Sequence, residues 1–377
     1  MEEPVIDLLR DLVAIDSVNP SLVPGAAGEA QIAAVVADRL RQIGLDVHVS
    51  EVAPGRPNVV GVLEGRAAGR TLMFCGHVDT VGVEGMASPF DPEIRSGRLY
   101  GRGAQDMKGG VAAMIDAARM AVERGFEKGR LIIAAVVDEE FASIGADAIA
   151  TSWSADGAVV TEPTDLQVAI GHKGFAWIDV ETLGRAAHGS RPKDGRDAIL
   201  RMGRVLQRLE SLDRDLQART PHPVMGTGSL HASIVNGGRE LSSYPDRCQL
   251  QMERRTIPGE TGTLAEAEVV RILQELTRED PEFEATARLT FARPPYELDA
   301  SHPLVECLIG AARRAGCGTG TIGMSFWTDA AVLASAGIPS VLFGPGGAGL
   351  HSVQEYVTVS DVISCRDALA LLALEWC

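Results

Sequence analysis

The stretch Leu131-Ile132-Ile133-Ala134-Ala135-Val136-Val137, followed at once by Asp138-Glu139-Glu140, decides how the rest of the chain is read. Seven unbroken apolar residues are too few to span a bilayer and are of strand length. A run with no polar alternation is buried on both faces, as a central strand is in a sheet covered by helices. Working back toward the N-terminus, the spacing of Val111, Met114, Ile115, Ala118 and Val122 predicts a helix over about 108–124 with those residues on one face. Before it come strands near 45–52, 57–64 and 71–78, and a helix near 29–43. Short apolar strands near 157–161 and 167–171 follow the central one. The alternation is that of an α/β fold, a mixed sheet covered by helices.

From about Gly174 the rhythm changes. Residues 175–182 alternate like a strand, and 197–216 carry Ile199, Met202, Leu206, Leu209 and Leu212 at helical spacing. Strands near 229–236 and 248–256, a helix near 263–278 and a strand near 284–291 complete the order β-α-β-β-α-β, a ferredoxin-like unit. After Arg293-Pro294-Pro295 the chain returns to helix, strand, loop and helix. The expected organisation is therefore a discontinuous first domain, 1–173 and 293–377, with a second domain, 174–292, inserted into it. A length of 377 residues fits that, at ~100–200 residues per domain.

Composition excludes some partners. Thirty-five Lys and Arg against 51 Asp and Glu leave a formal charge of −16. That balance disfavours nucleic acid and anionic membranes, which are bound by clustered cations. The N-terminal MEEPVIDLLRDL lacks the cationic and apolar regions of a secretory signal, and six cysteines lie without CxxC spacing. Free thiols in a reducing compartment, hence a cytoplasmic protein, are expected.

The residues able to carry chemistry stand at strand ends. Phe74-Cys75-Gly76-His77-Val78-Asp79-Thr80 closes an apolar strand. Residues two apart on a strand point to one side, so His77 and Asp79 face one site, as a histidine ligand and the carboxylate that orients it do. On its own, His-x-Asp reads as well as an ordinary strand-end turn. Asp106, in the glycine-rich Gly101-Arg102-Gly103-Ala104-Gln105-Asp106-Met107-Lys108-Gly109-Gly110, is either a helix N-cap or a carboxylate whose two oxygens bridge two cations. Three acids at 138–140, at the end of a buried strand, repel one another without a cation nearby. One glutamate there can bind metal while the other accepts a proton, and ligand sites in open α/β sheets lie beyond such strand ends. Glu162 ends another short apolar strand, and His351 closes Gly344-Pro345-Gly346-Gly347-Ala348-Gly349-Leu350-His351. Taken singly, each of these is an ordinary loop residue. Together His77, Asp106, Glu140, Glu162 and His351 form a two-histidine, three-carboxylate set suited to two divalent ions sharing one carboxylate. Zinc fits the nitrogen and oxygen donors, and cobalt or manganese would be accepted.

The blocks GHVDTV, GRGAQDMKGG, DEE, TEP, AAHGS, RRTIPGE, TDA and GPGGAGLHS occur in this order along nearly the whole chain, from about Leu8 to Leu374. In this the sequence resembles the group of co-catalytic zinc hydrolases that contains acetylornithine deacetylase, succinyl-diaminopimelate desuccinylase, carboxypeptidase G and aminoacylase. The resemblance implies a di-zinc catalytic domain with an inserted ferredoxin-like lid that also dimerises. It implies Asp106 as the bridging ligand, His77 and Glu162 on one metal, and Glu140 and His351 on the other. Asp79 would orient His77, and Glu139 would be the general base. A water shared by two such ions has a strongly lowered pKa, so hydroxide is available at neutral pH. His188, in Ala187-His188-Gly189-Ser190, matches the histidine that crosses a dimer interface to contact the substrate carbonyl. Arg255 matches the arginine that grips the substrate carboxylate, and Asn236 a companion hydrogen-bonding residue. Strand alternation sends the adjacent Arg254 to the opposite face. The second residue of Arg196-Asp197 departs from a commoner asparagine. Glutamate at 162, rather than the aspartate of aminopeptidase branches, favours amide hydrolysis next to a free α-carboxylate.

The expected activity is thus hydrolysis of the amide bond of an N-acyl-L-amino acid. The alternatives are carboxypeptidase-like cleavage of a dipeptide or acyl-glutamate, and an inactive binding relative. The last is disfavoured because every ligand candidate, Asp79 and Glu139 are present. GPGGAG at 344–349 formally matches a dinucleotide fingerprint, but the 28 residues after Gly349 hold no βαβ unit. No serine nucleophile elbow or phosphate-binding loop occurs. Phe326 and Trp327 read equally as pocket lining or as core.

Overall fold

The run at 131–137 is buried throughout and supplies most of the strand Lys128–Val136. That strand pairs antiparallel with Arg56–Glu64 on one side and parallel with Ala67–His77 on the other. The computed structural model describes residues 3–318 and 320–377. Across the sheet the order is Asp46–Ala53, Arg56–Glu64, Lys128–Val136, Ala67–His77, Gly157–Val160, Ser340–Leu342 and Val168–His172. Its centre is parallel and its flanks antiparallel, so the sheet is mixed. Helices Pro4–Val13, Gly109–Glu123, Pro303–Arg314 and Val359–Trp376 pack on one another, while Ile144–Ser152 packs on Ala330–Ser335. The fold is α/β, as the alternation predicts.

Two expectations about helices need correction. Gly109–Glu123 is not a one-sided helix: Gly109 through Ala118 and Ala121 are all buried, whereas Val122 is exposed. The cause is its small residues, which let neighbours approach on every side; a Cβ on Gly110 would sit 1.9 Å from the Thr161 carbonyl oxygen. In the helix Ala198–Gln217, Met202 and Leu209 are buried and Leu206 and Leu212 partly so, but Ile199 in the first turn is exposed. Val205 and Leu216 take the remaining core positions. Asp197 accepts a hydrogen bond from the Leu200 amide at 2.9 Å and caps this helix, which gives the Arg196-Asp197 departure a use.

The chain divides into two compact units. The first runs to Gly171 and resumes over Leu298–Ile322 and Thr328–Cys377; the second is His172–Glu297 with Gly323–Trp327. Against the expected boundaries at 173/174 and 292/293, the second unit is slightly longer and takes in a short distant segment. Aromatic packing accounts for that segment: Trp327 stands edge-on to Phe175 and His172, each at 6.0 Å, and donates to the Pro294 carbonyl at 3.2 Å. Trp327 is therefore core of the second unit.

In the second unit four strands form an antiparallel sheet in the order Ser229–Gly237, Arg247–Thr256, Gly174–Leu183 and Glu284–Arg293. Ala198–Gln217 and Gly262–Glu279 cover one face, over a core that includes Ile178, Val180, Val205, Leu250, Met252 and Leu273. In the first unit a smaller sheet joins Glu93–Arg95, Arg98–Tyr100, Tyr356–Thr358 and Gly347–Ala348. These strands of two or three residues are too short for periodicity to reveal, and they bring the Asp106 loop beside the His351 turn. Among the described residues, no helix is long and apolar enough to cross a membrane.

Candidate metal centre

Because Ala67–His77, Lys128–Val136 and Gly157–Val160 are parallel and in register, with His77 opposite Val136 and Cys75 opposite Val160, their carboxyl ends share one edge. His77, Glu139, Glu140 and Glu162 issue from that edge. Asp106 arrives from the loop before Gly109–Glu123, and His351 from the hairpin turn between Gly347–Ala348 and Tyr356–Thr358, with φ of +57°.

Asp106 organises the cluster. Its Oδ1 lies 3.1 Å from His77 Nε2 and its Oδ2 3.3 Å from His351 Nε2, so each oxygen faces a different histidine. Glu140 Oε2 stands 3.1 Å from His351 Nε2. Glu162 and Glu139 stand 3.9 and 3.8 Å from His77 Nε2, so distance alone does not separate them. Ligand atoms of His77, Glu139 and Glu162, and of His77, Asp106 and Glu140, fall in two groups each within 4.8 Å.

The contact expected between Asp79 and His77 runs mainly through the backbone. His77 Nδ1 is 3.0 Å from the Asp79 carbonyl oxygen and 3.6 Å from its carboxylate. The Asp79 carboxylate instead accepts from Asn19 Nδ2 at 2.8 Å and from the amides of Glu139 and Glu140, both at 3.2 Å. It positions the two glutamates as much as the imidazole.

Electrostatics show what the cluster lacks. Burial pushes Glu139 and Glu162 well above the usual carboxylate range, and neighbouring acids, including buried Asp329, add to this. Burial and the charge of Asp106 raise Glu140 to about 6. Burial opposes the charge of His77, but the hydrogen bond to Asp106 and the nearby Asp79 carboxylate outweigh it and hold the imidazole's pKa high. Hydrogen bonds to Asp106 and Glu140 lift His351 to about 10. Crowded acids that take up protons, and histidines that keep them, mark a site short of positive charge. Among the described residues, the buried Glu140 Oε1 has no hydrogen-bond partner, which points the same way. The residues therefore fit divalent cations: oxygen and imidazole donors converge, and one carboxylate turns an oxygen toward each of two histidines.

Residues with no motif of their own support the cluster. Asn19 links Asp79 to Asp138 Oδ1 at 3.1 Å, and Arg56 pairs with Glu29 and with Asp138 at 2.7 Å. Glu355 accepts from the backbone amides of Gly103, Gln105 and Asp106. All lie far in sequence from what they hold, and nothing in local pattern singles them out.

His188, Arg255 and Asn236 belong to the second unit. His188 is exposed and its Nδ1 is 2.8 Å from Ser190 Oγ. Arg255 pairs with Glu253 at 2.7 Å, and its guanidinium lies 5.6 Å from the centre of the Phe175 ring. Arg254 is buried against Glu260 and Glu268, on the opposite face as alternation predicts. Asn236 lies opposite Gln249 and Arg255 opposite Ser229. Six residues along a strand separate those positions by roughly 20 Å. His188 bridges to Ser243 in the 238–246 connection, at the Asn236 end of the sheet. One copy of this unit does not bring Arg255 together with the other two.

A mixed sheet with a cation-seeking histidine–carboxylate cluster at its parallel strand ends is the architecture of a metal-dependent enzyme. The chain belongs to Peptidase family M20/M25/M40, whose profile it matches over residues 73–375, and is accordingly a hydrolase of the metallopeptidase and amidohydrolase kind. It is 31% identical to acetylornithine deacetylase of Myxococcus xanthus, over 98% of this chain and 96% of that one. It is 28% identical to N-formyl-4-amino-5-aminomethyl-2-methylpyrimidine deformylase of Bacillus subtilis, over 100% and 95%. A dinuclear metal-binding peptidase of the M20 family from Bacillus subtilis shares its fold with a TM-score of 0.75 at 16% identity, covering 98% of this chain and 96% of that one.

Proposed function

We propose that the chain is a homodimeric di-zinc amidohydrolase that releases the acyl group of an N-acyl-L-amino acid. The observation that carries this reading is Asp106, with one carboxylate oxygen toward each histidine. His77, Glu162 and Asp106 would hold one ion, and Glu140, His351 and Asp106 the other, with zinc the best match and cobalt or manganese accepted. Two bound divalent ions would supply Lewis acidity to the scissile carbonyl and lower the pKa of the attacking water. Glu139 takes the proton of that water and delivers it to the leaving nitrogen; its carboxylate stands 3.8 Å from His77 Nε2, at the edge of the cluster. Arg255 holds the substrate α-carboxylate with its planar fork, exchanging Glu253 for the substrate.

His188 and Asn236 act in the site of a second copy. Their place at the sheet end opposite Arg255 supports this, since one copy of the unit leaves them apart. The edge strand Ser229–Gly237 supports dimerisation: it is exposed along most of its length and presents Ile234 and Val235, with Leu200 and Leu241 also exposed in this unit. The second unit then serves as lid and dimerisation domain. Six unbridged cysteines agree with a cytoplasmic setting.

Two relatives whose names describe removal of an acyl group from nitrogen favour a deacylase. Likeness to a peptidase keeps cleavage of a dipeptide or acyl-glutamate as the second reading. Turnover of the zinc-loaded protein on matched panels of N-acetyl amino acids, N-formyl compounds and dipeptides separates them. Higher kcat/KM on the acylated panel is the expected result; preference for dipeptides makes the enzyme a peptidase.

A further inference from the structure

Glu355, four residues beyond His351, is 1% exposed, and both its carboxylate oxygens are in use. Oε2 accepts from the Gly103 amide at 3.0 Å and from Arg102 Nη1 at 2.6 Å. Oε1 accepts from the amides of Gln105 at 2.9 Å and Asp106 at 3.1 Å. Its backbone carbonyl takes the Gly101 amide at 3.2 Å. Glu355 thus fastens the 101–106 loop at four backbone amides and one guanidinium. Arg102 reaches the other way, donating to the Ser352 carbonyl at 3.1 Å, one residue beyond His351. The loop bearing Asp106 and the turn bearing His351 are tied through one buried ion pair.

We propose that Glu355 is the positioning residue that sets Asp106 to bridge two cations. Asp106 must present one oxygen to each side, and the turn of its backbone decides this. Free amides at 103, 105 and 106 would let the loop rotate; a buried anion that all three amides address fixes it. The inference rests on the metal-binding reading of the cluster.

The test uses the full chain. Glu355→Gln preserves size, and its amide oxygen still accepts from Gln105 and Asp106, but its NH2 then faces the donors of Gly103 and Arg102. Metal-free wild type and variant are titrated with zinc against a competing chelating dye, and the Tm of each metal-free protein is measured. Wild type should bind two ions, and the variant should bind at least one of them about 10–100-fold more weakly, the usual cost of losing an outer partner of a ligand. Wild-type affinities in the variant, whatever its Tm, overturn the inference and leave Glu355 a purely structural residue. A wild type that binds no zinc contradicts the reading of the site itself, and this inference with it. Should Glu355→Gln not fold, Arg102→Lys keeps the charge and loses the fork to Ser352. It should weaken binding in the same direction, and unchanged affinity there also overturns the proposal.

Discussion

The two units hold their candidate residues in opposite ways. In the first, His77, Asp106, Glu140, Glu162 and His351 converge from three strand ends, a loop and a turn, and all but His351 are nearly buried. Asp106 and Glu140 are held through their backbone amides by Glu355 and Asp79, and Asp79 in turn by Asn19, groups outside the five-residue set. In the second, Asn236 and Arg255 lie toward opposite ends of one sheet, and the exposed His188 sits in a connection at the Asn236 end. A buried cluster rich in negative charge is stabilised by cations, and here one chain supplies all five of its residues. Groups that meet substrate and leave again can be spread over a surface and assembled from two copies.

If that contrast is right, damage to the first unit should fall on proton transfer and metal binding, and damage to the second on groups that reach the substrate from outside the cluster. The largest effect expected is from Glu139→Ala: kcat should fall by about 100–10,000-fold with both ions retained, measured by kinetics beside elemental analysis. Near-normal turnover would remove Glu139 as the proton acceptor. His188→Ala should lower kcat by about 100–1,000-fold, as loss of an oxyanion donor does. The sharper form mixes it with Glu139→Ala. Heterodimers then carry one site with both groups intact, so activity above either parent is expected, whereas none would place His188 in its own chain's site. Arg255→Ala should act mainly on KM, raising it about 10–100-fold, with Arg255→Lys only a partial rescue because a single ammonium cannot match two oxygens. An equal loss in kcat would make it part of the chemistry.

The smallest effect concerns stability. His172 is fully buried in the second unit, and burial lowers its pKa from 6.5 to about 4. The unfolded chain therefore takes up a proton that the folded one refuses. The contribution is intact above pH 6.5 and is lost as pH falls toward 4, to about 3 kcal/mol. His172→Phe should make the Tm of the protein less sensitive to pH between 6.5 and 4; an unchanged slope would show that His172 does not set it.

What the sequence makes legible follows from range. Acids within three residues of the end of an apolar run, Glu139, Glu140 and Glu162, can be placed at a strand end from their neighbours alone, and parallel strands bring such ends together. The central strand at 131–137 is plain for the same reason. Long-range support is not: Glu355 meets Asp106 across 249 residues through strands of two or three residues, and Asn19 reaches Asp79 across 60. The helix Gly109–Glu123 misleads because alanine and glycine bury as well as leucine does but leave no stripe.

Metal content measured by elemental analysis, with turnover followed before chelation, after it and on return of zinc, tests the central claim most directly. The account predicts two ions per chain, activity abolished by chelation and restored by zinc. Full activity in a protein that holds no metal would contradict it.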